Sequence, residues 1–212
     1  MKELPVTKYR FRQFTLFCAS LVLAGCASTQ SVPEDHFYRL TPLSVAEPFT
    51  VPPFAGVIKV ERVKAFGIFQ ERAVLFSREA TPETLERYHY HFWIDAPTAL
   101  LRKHLVAYLR KRGIAQLVVG SEIQQPGDIQ LQLELNNFER ILNDTGKIQV
   151  KVGLAVVVNN GRGEKPLLIK SYSAMKKLDD KTMPASIKAF NQGLQDIYQQ
   201  LSEDLMAVVA DM

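Results

Sequence analysis

Two stretches of strict alternation constrain this chain more than anything else in it. Ile129, Leu131, Leu133 and Leu135 alternate with Gln130, Gln132, Glu134 and Asn136. Ile148, Val150, Val152, Leu154, Val156 and Val158 repeat the pattern. A period of two places every apolar side chain on one face, so each stretch is a strand with one face that needs cover. Residues 143–146 supply the turn between them, and Asn159-Asn160-Gly161 has hairpin chemistry leading into a third strand over about 167–176. The three predict an antiparallel meander. The phase slips at Asn136-Asn137, and a β-bulge there would return Phe138 to the core side.

The cover is supplied by a helical stripe at the end of the chain. Ile187, Phe190, Leu194, Ile197, Leu201, Leu205 and Val208 recur at spacings of three and four, starting near Thr182–Pro184. A coiled-coil seam would read similarly, but the strands before it need a partner, so packing on the chain's own sheet is favoured. A second helix is predicted over 95–112, with Asp95 as N-cap, Pro97 in the first turn and Gly113 as the stop. Leu101, Leu105, Tyr108 and Leu109 form its apolar stripe, with Arg102, Lys103, Arg110 and Lys111 mostly on its other faces.

Strands are predicted before this helix at 57–63, 71–77 and 85–93, the last two separated by a turn at Thr81-Pro82, and after it at 114–119. The expected fold is α+β: a mixed, largely antiparallel sheet with two main helices packed on it, in the order βββ-α-ββββ-α. Within 85–93, alternation would place Tyr88, Tyr90 and Phe92 on one face and His89, His91 and Trp93 on the other. Both faces are aromatic. Tyr88, Tyr90 and Trp93 are therefore candidates for an interaction surface, weighed against a place in the core.

The amino-terminal stretch has a different grammar. Lys2, Lys8, Arg10 and Arg12 precede an apolar run over 14–24 that is too short to span a bilayer, and small residues follow. That is the layout of a secretory signal peptide. Leu23, Ala24, Gly25 and Cys26 resemble a bacterial lipobox, which implies cleavage before Cys26 and acyl chains such as palmitate on its sulfur and new amino group. Ala27 and Ser28 follow the cysteine where an aspartate would favour retention at the inner membrane, so the resemblance implies the periplasmic face of the outer membrane. The expected organisation is a cleaved signal peptide at 1–25, a lipidated, proline-rich tether at 26–53 and one periplasmic domain at 54–212. Phe37-Tyr38-Arg39-Leu40 could add a short strand within the tether.

Charge and cysteine usage narrow the function classes. The leader carries four basic residues against Glu3, so it supplies three of the chain's four formal positive charges. Without it no electrostatic case for nucleic acid remains. Cys18 lies in the leader and Cys26 at the anchor, so the domain has no disulfide or cysteine nucleophile. His89, His91 and His104 invite a metal reading, but no carboxylate or cysteine stands at matching spacing. Glu83, Glu86, Asp179 and Asp180 could be paired as acid and base on paper, though nothing gathers them in one cleft. There is no G-x-S-x-G, H-E-x-x-H or phosphate loop, and Gly161-Arg162-Gly163 reads as a hairpin tip. No enzyme activity and no cofactor are expected.

Taken together, the lipobox, Tyr38-Arg39-Leu40, a Val-x-Val strand near residue 60, and Tyr88 to Trp93 followed by Pro97 and a leucine-rich helix form an ordered series. Asp128, the strand through Leu131-Gln132-Leu133 to Phe138-Glu139, and a closing amphipathic helix complete it. This series resembles the ABC-type transport auxiliary lipoproteins, which include the lipoprotein of the paraquat-inducible system. The resemblance implies a non-enzymatic outer-membrane component that accompanies ABC transporters and MCE-type proteins in moving lipids between membranes. It also implies a fold like the small N-terminal domain of the Tol system's periplasmic protein, and ring-like self-association is reported for some members. The competing reading is a structural adaptor in lipopolysaccharide or β-barrel assembly, or an activator of a cell-wall synthase.

Overall fold

The long alternating strand at the centre of the sequence is also the centre of the molecule. The computed structural model describes residues 33–45, 47–161, 165–178 and 180–212, and its main compact unit runs from Asp35 to Met212. The elements are β1 (His36–Tyr38), β2 (Phe54–Val60), β3 (Lys64–Ala65), β4 (Ala73–Arg78), β5 (Thr81–Trp93), α1 (Pro97–Arg112), β6 (Ala115–Gly120), β7 (Ile129–Leu142), β8 (Ile148–Asn160), β9 (Pro166–Lys177) and α2 (Met183–Ala210). The fold is α+β in the expected order, with β1 and the two-residue β3 added before the first helix.

Strand β7 organises the sheet. One edge carries the whole of β8, antiparallel, and β9 follows β8 in the same sense. The other edge is shared, in order, by three parallel segments: β2 at Ile129–Leu131, β3 beside Glu134 and Leu135, and β4 beside Glu139 to Leu142. Two wings extend from there, β6 on β2 and β5 then β1 on β4. The longest ladders are antiparallel and the wings largely parallel. The bulge falls between Leu135 and Asn137, and Phe138 is buried.

Both helices contribute to one core with the sheet. Leu101, Leu105 and Leu109 of α1 join Phe190, Leu194, Ile197, Leu201 and Leu205 of α2 over the inward residues of β7 and β8. The Tyr198 hydroxyl donates to the Leu101 carbonyl at 3.2 Å and links the helices. Thr182 caps α2, its side chain accepting from the Ala185 amide at 3.3 Å. Gly113 ends α1 at φ 69°, where a Cβ would stand 2.7 Å from the Phe49 carbonyl oxygen. Several basic residues of α1 do more than face solvent: Arg110 Nε donates to the Val118 carbonyl at 2.7 Å and Arg102 to Ser121 Oγ at 2.7 Å.

Three sequence expectations are corrected. The N-cap of α1 is Ala96, whose side chain cannot accept, while Asp95 instead pairs with Lys103 at 3.3 Å. Thr81 and Pro82 lie inside β5, and the turn falls at Glu79-Ala80. The folded unit also begins well before residue 54. Leu43 is buried, the Thr41 amide donates to Asn191 Oδ1 at 3.0 Å, and the Phe49 amide donates to the Arg112 carbonyl at 2.8 Å. The prolines break regular structure there, yet Leu40, Leu43 and Val45 still pack on the core.

Candidate interaction surface

Strand β1 joins the sheet through three register pairs with β5: His36 with His91, Phe37 with Phe92, and Tyr38 with Trp93. Backbone bonds extend the contact, Ile94 N–H to the Tyr38 carbonyl at 2.8 Å and Trp93 N–H to the Arg72 carbonyl at 2.6 Å. Where β5 meets β4, alternation breaks. Ala73 pairs with Phe92 and Leu75 with Arg87, so the single residue Val74 stands opposite the four residues 88–91.

That wide bulge overturns the expected faces of residues 88–93. Tyr88 and His91 meet edge to face at 5.6 Å, although their parity would have separated them. Trp93 is completely buried against Phe138 and Phe190, with ring centroids 4.8 and 5.2 Å away, and is no part of a surface. Tyr88 is half-buried and Tyr90 is 41% exposed. Of the three surface candidates, only Tyr90 presents its ring freely.

Beneath the bulge lies a polar cluster. Arg140 is 4% exposed, donates to the Tyr88 hydroxyl at 2.5 Å and to the Lys181 carbonyl at 2.9 Å, and faces the Tyr88 ring. The Tyr38 hydroxyl and His91 Nδ1 are hydrogen-bonded at 2.9 Å, and the His36 ring stacks on His91 at 5.3 Å. Burial, then the charges of His36 and Arg140, push the His91 pKa down. Burial pushes Tyr88 up, opposed by Arg140.

On the opposite face of the same strands, Phe37 stacks on Phe92 at 5.8 Å and stays 56% exposed. The Arg72 guanidinium lies 5.5 Å from the Phe37 ring centre, with Nε held by the Trp93 carbonyl at 3.1 Å. Arg87 pairs with Glu71 at 2.8 Å. These side chains line an open groove of about 610 Å³ together with Asp35, Ala73, Tyr88 and His89. Arg72 and Arg140 escaped the sequence reading, and Phe37 enters it only as part of a possible short strand, which β1 bears out. The Phe37-Tyr38 alternation was the available signal, but its prolines and serines pointed to a tether.

The remaining candidates are scattered. His104 donates from Nε2 to the Thr41 carbonyl at 2.7 Å, and burial lowers its pKa despite that bond. His89 is exposed on β5. Among the described residues no three His, Cys, Asp or Glu side chains could hold a metal ion, and no helix is long and apolar enough to cross a membrane. Leu23, Ala24, Gly25, Cys26, Arg162, Gly163 and Asp179 lie outside the described residues.

The profile of the ABC-type transport auxiliary lipoprotein component family matches residues 38–202, from β1 to the last turns of α2. The chain belongs to this family. Its members are transport auxiliaries by description, associated with ABC systems as membrane-anchored lipoproteins of the cell envelope. Among solved structures, a Xanthomonas campestris protein, XCC0632, superposes with a TM-score of 0.73 at 17% identity, over 83% of this chain and 97% of that one. A second, uncharacterised protein gives 0.61 at 15%, over 82% and 99%. At these identities the likeness is one of fold. No curated protein sequence matches the chain.

Proposed function

We propose that this chain is a lipid-anchored auxiliary of an ABC- and MCE-type system that moves lipids between membranes. It stands on the periplasmic face of the outer membrane, held by acyl chains on Cys26, and acts by binding proteins of that system rather than by catalysis. The observation that carries the reading is the family match across residues 38–202, which takes in nearly all of the folded unit. The lipobox resemblance supports the anchor, since two or more acyl chains suffice for stable attachment. Ala27 and Ser28 support outer-membrane sorting. Self-association into a ring follows from the same resemblance.

Two measurements test this. Cys26→Ser is expected to leave a folded domain that no longer fractionates with the outer membrane; unchanged fractionation would refute the anchor. Crosslinking in the intact envelope is expected to recover a permease, an ATPase or an MCE-type protein. Recovery of a cell-wall synthase or of barrel-assembly proteins instead would favour the adaptor reading.

A further inference from the structure

Besides Leu117 on β6, the large apolar side chains exposed along the sheet fall into two groups. Ile169 (71%) and Met175 (54%) lie on β9, while Phe37 (56%), Tyr90 (41%) and Ile94 (43%) lie on β1 and at the end of β5. Strands β4, β7 and β8 lie between the two groups. The second group has an interfacial composition. Phe37 and Phe92 form an apolar pair, Tyr90 offers a ring with a polar tip, and Arg72 lies over Phe37. Among the described residues no carboxylate pairs with Arg72, because Glu71 is engaged by Arg87. Rings with one wet end, beside a guanidinium that can reach back to phosphate, suit the boundary between acyl chains and headgroups.

Chain length selects the occupant. Phe37 stands eleven positions after Cys26. Even fully extended, that stretch spans no more than about 40 Å. The lipid that receives the acyl chains is therefore always within reach of this patch, and β1, the first strand of the folded unit, is where the anchor's segment enters the sheet. We infer that the Phe37–Phe92 pair, with Tyr90, Ile94 and Arg72, seats the domain directly on the lipid surface that holds its anchor. The inference rests on the Cys26 reading above and goes beyond it, because an anchor alone would leave the domain free on its leash. Asp35 and the Arg87–Glu71 pair keep the patch close to neutral, so insertion of rings carries the contact and salt weakens it little.

The mature lipidated chain, reconstituted in phosphatidylethanolamine–phosphatidylglycerol vesicles, provides the test. Cys26 is blocked by lipid, so a fluorescent label placed through Tyr90→Cys or Ile169→Cys reports one site. On reconstitution the position-90 label is expected to be quenched by nitroxide-bearing lipid and shielded from iodide, while the position-169 label stays open to iodide. Phe37→Ser removes an already exposed ring and is expected to lower the seated-to-lifted ratio about tenfold, the worth of one phenylalanine moved from water to an apolar medium. Equal iodide access at both positions in floating vesicles would overturn the seat while leaving the anchor intact. Shielding of position 90 that arises only on adding envelope proteins would assign the patch to a protein partner and overturn it as well. A chain that fails to float with the vesicles overturns the anchor and the seat together.

Discussion

The two halves of β7 lie on one continuous strand and are built on opposite plans. Before the bulge, Ile129, Leu131, Leu133 and Leu135 point inward as an unbroken aliphatic row beneath the helices. After it, Phe138 and Arg140 point inward and Glu139 outward, and all three are buried. The first half is roofed by helix side chains. The second keeps a helix ring, Phe190 of α2 at 4.5 Å from Phe138, and adds two rings from β5, Trp93 on Phe138 and Tyr88 on Arg140. Where a helix supplies the roof, an aliphatic face suffices. Where rings of a neighbouring strand join the helix, a guanidinium can be buried because a phenol and a backbone carbonyl receive it.

The sharpest test of this contrast is truncation on either side of the bulge. Phe138→Ala empties a site between Trp93 and Phe190 and is expected to cost about 4 kcal/mol; Leu131→Ala is expected to cost about 3 kcal/mol, both by denaturant unfolding. A smaller loss at Phe138 than at Leu131 would break the comparison. Arg140→Ala is expected next, at about 2 kcal/mol, because the Tyr88 hydroxyl and the Lys181 carbonyl lose their donor. A neutral outcome would mean that the buried guanidinium contributes nothing to stability.

The smallest effects are in pH, and the two halves should answer at different acidities. Asp204 links α2 to β9 beside the first half, accepting from Lys170 at 2.7 Å and from Tyr172 at 2.5 Å. Burial opposes its charge, but those bonds and the Lys170 charge outweigh it and lower the pKa. Its stabilisation is complete above an unfolded carboxylate's pKa of about 3.9 and is lost as pH falls through the lower folded value. Asp204→Asn should flatten the melting-temperature profile there. His91, beside the second half, is held neutral in the fold, so its unfolded ring takes up protons first. Stability is full above about pH 6.5 and declines below it. His91→Phe should reduce that earlier decline, leaving the share contributed by His104, whose pKa burial also lowers, and the Asp204 limb in place.

Local pattern made much of the fold legible. The alternation of β7 and β8, the bulge before Phe138, the start of α2 near Thr182, the Gly113 stop and the stripe of α2 are all written within a few residues of where they act. The parallel pairing of β2, β3 and β4 along one edge of β7 is not, because partners 64 to 71 residues apart leave no local periodicity. Asp95 looked like a cap but found Lys103. Trp93 looked like a surface anchor because the four-residue bulge before it is invisible to a count of two. The segment 36–49 looked like a tether because prolines mark irregular backbone, and irregular backbone can still pack, as Leu43 does.

The shared edge of β7 also dictates when this protein can fold. Strands β2, β3 and β4 leave the synthesis or export machinery long before the strand that must pair with them. The Val57 amide waits 71 residues for the Asp128 carboxylate, and the Thr41 amide waits 150 for Asn191. Loops this long make for slow, late-closing topology. Adjacent antiparallel pairs such as β4–β5 can form as they emerge, but the shared edge waits for β7 and the core closes only when the last helix arrives. Until that moment it offers the envelope's chaperones and proteases a long, open substrate.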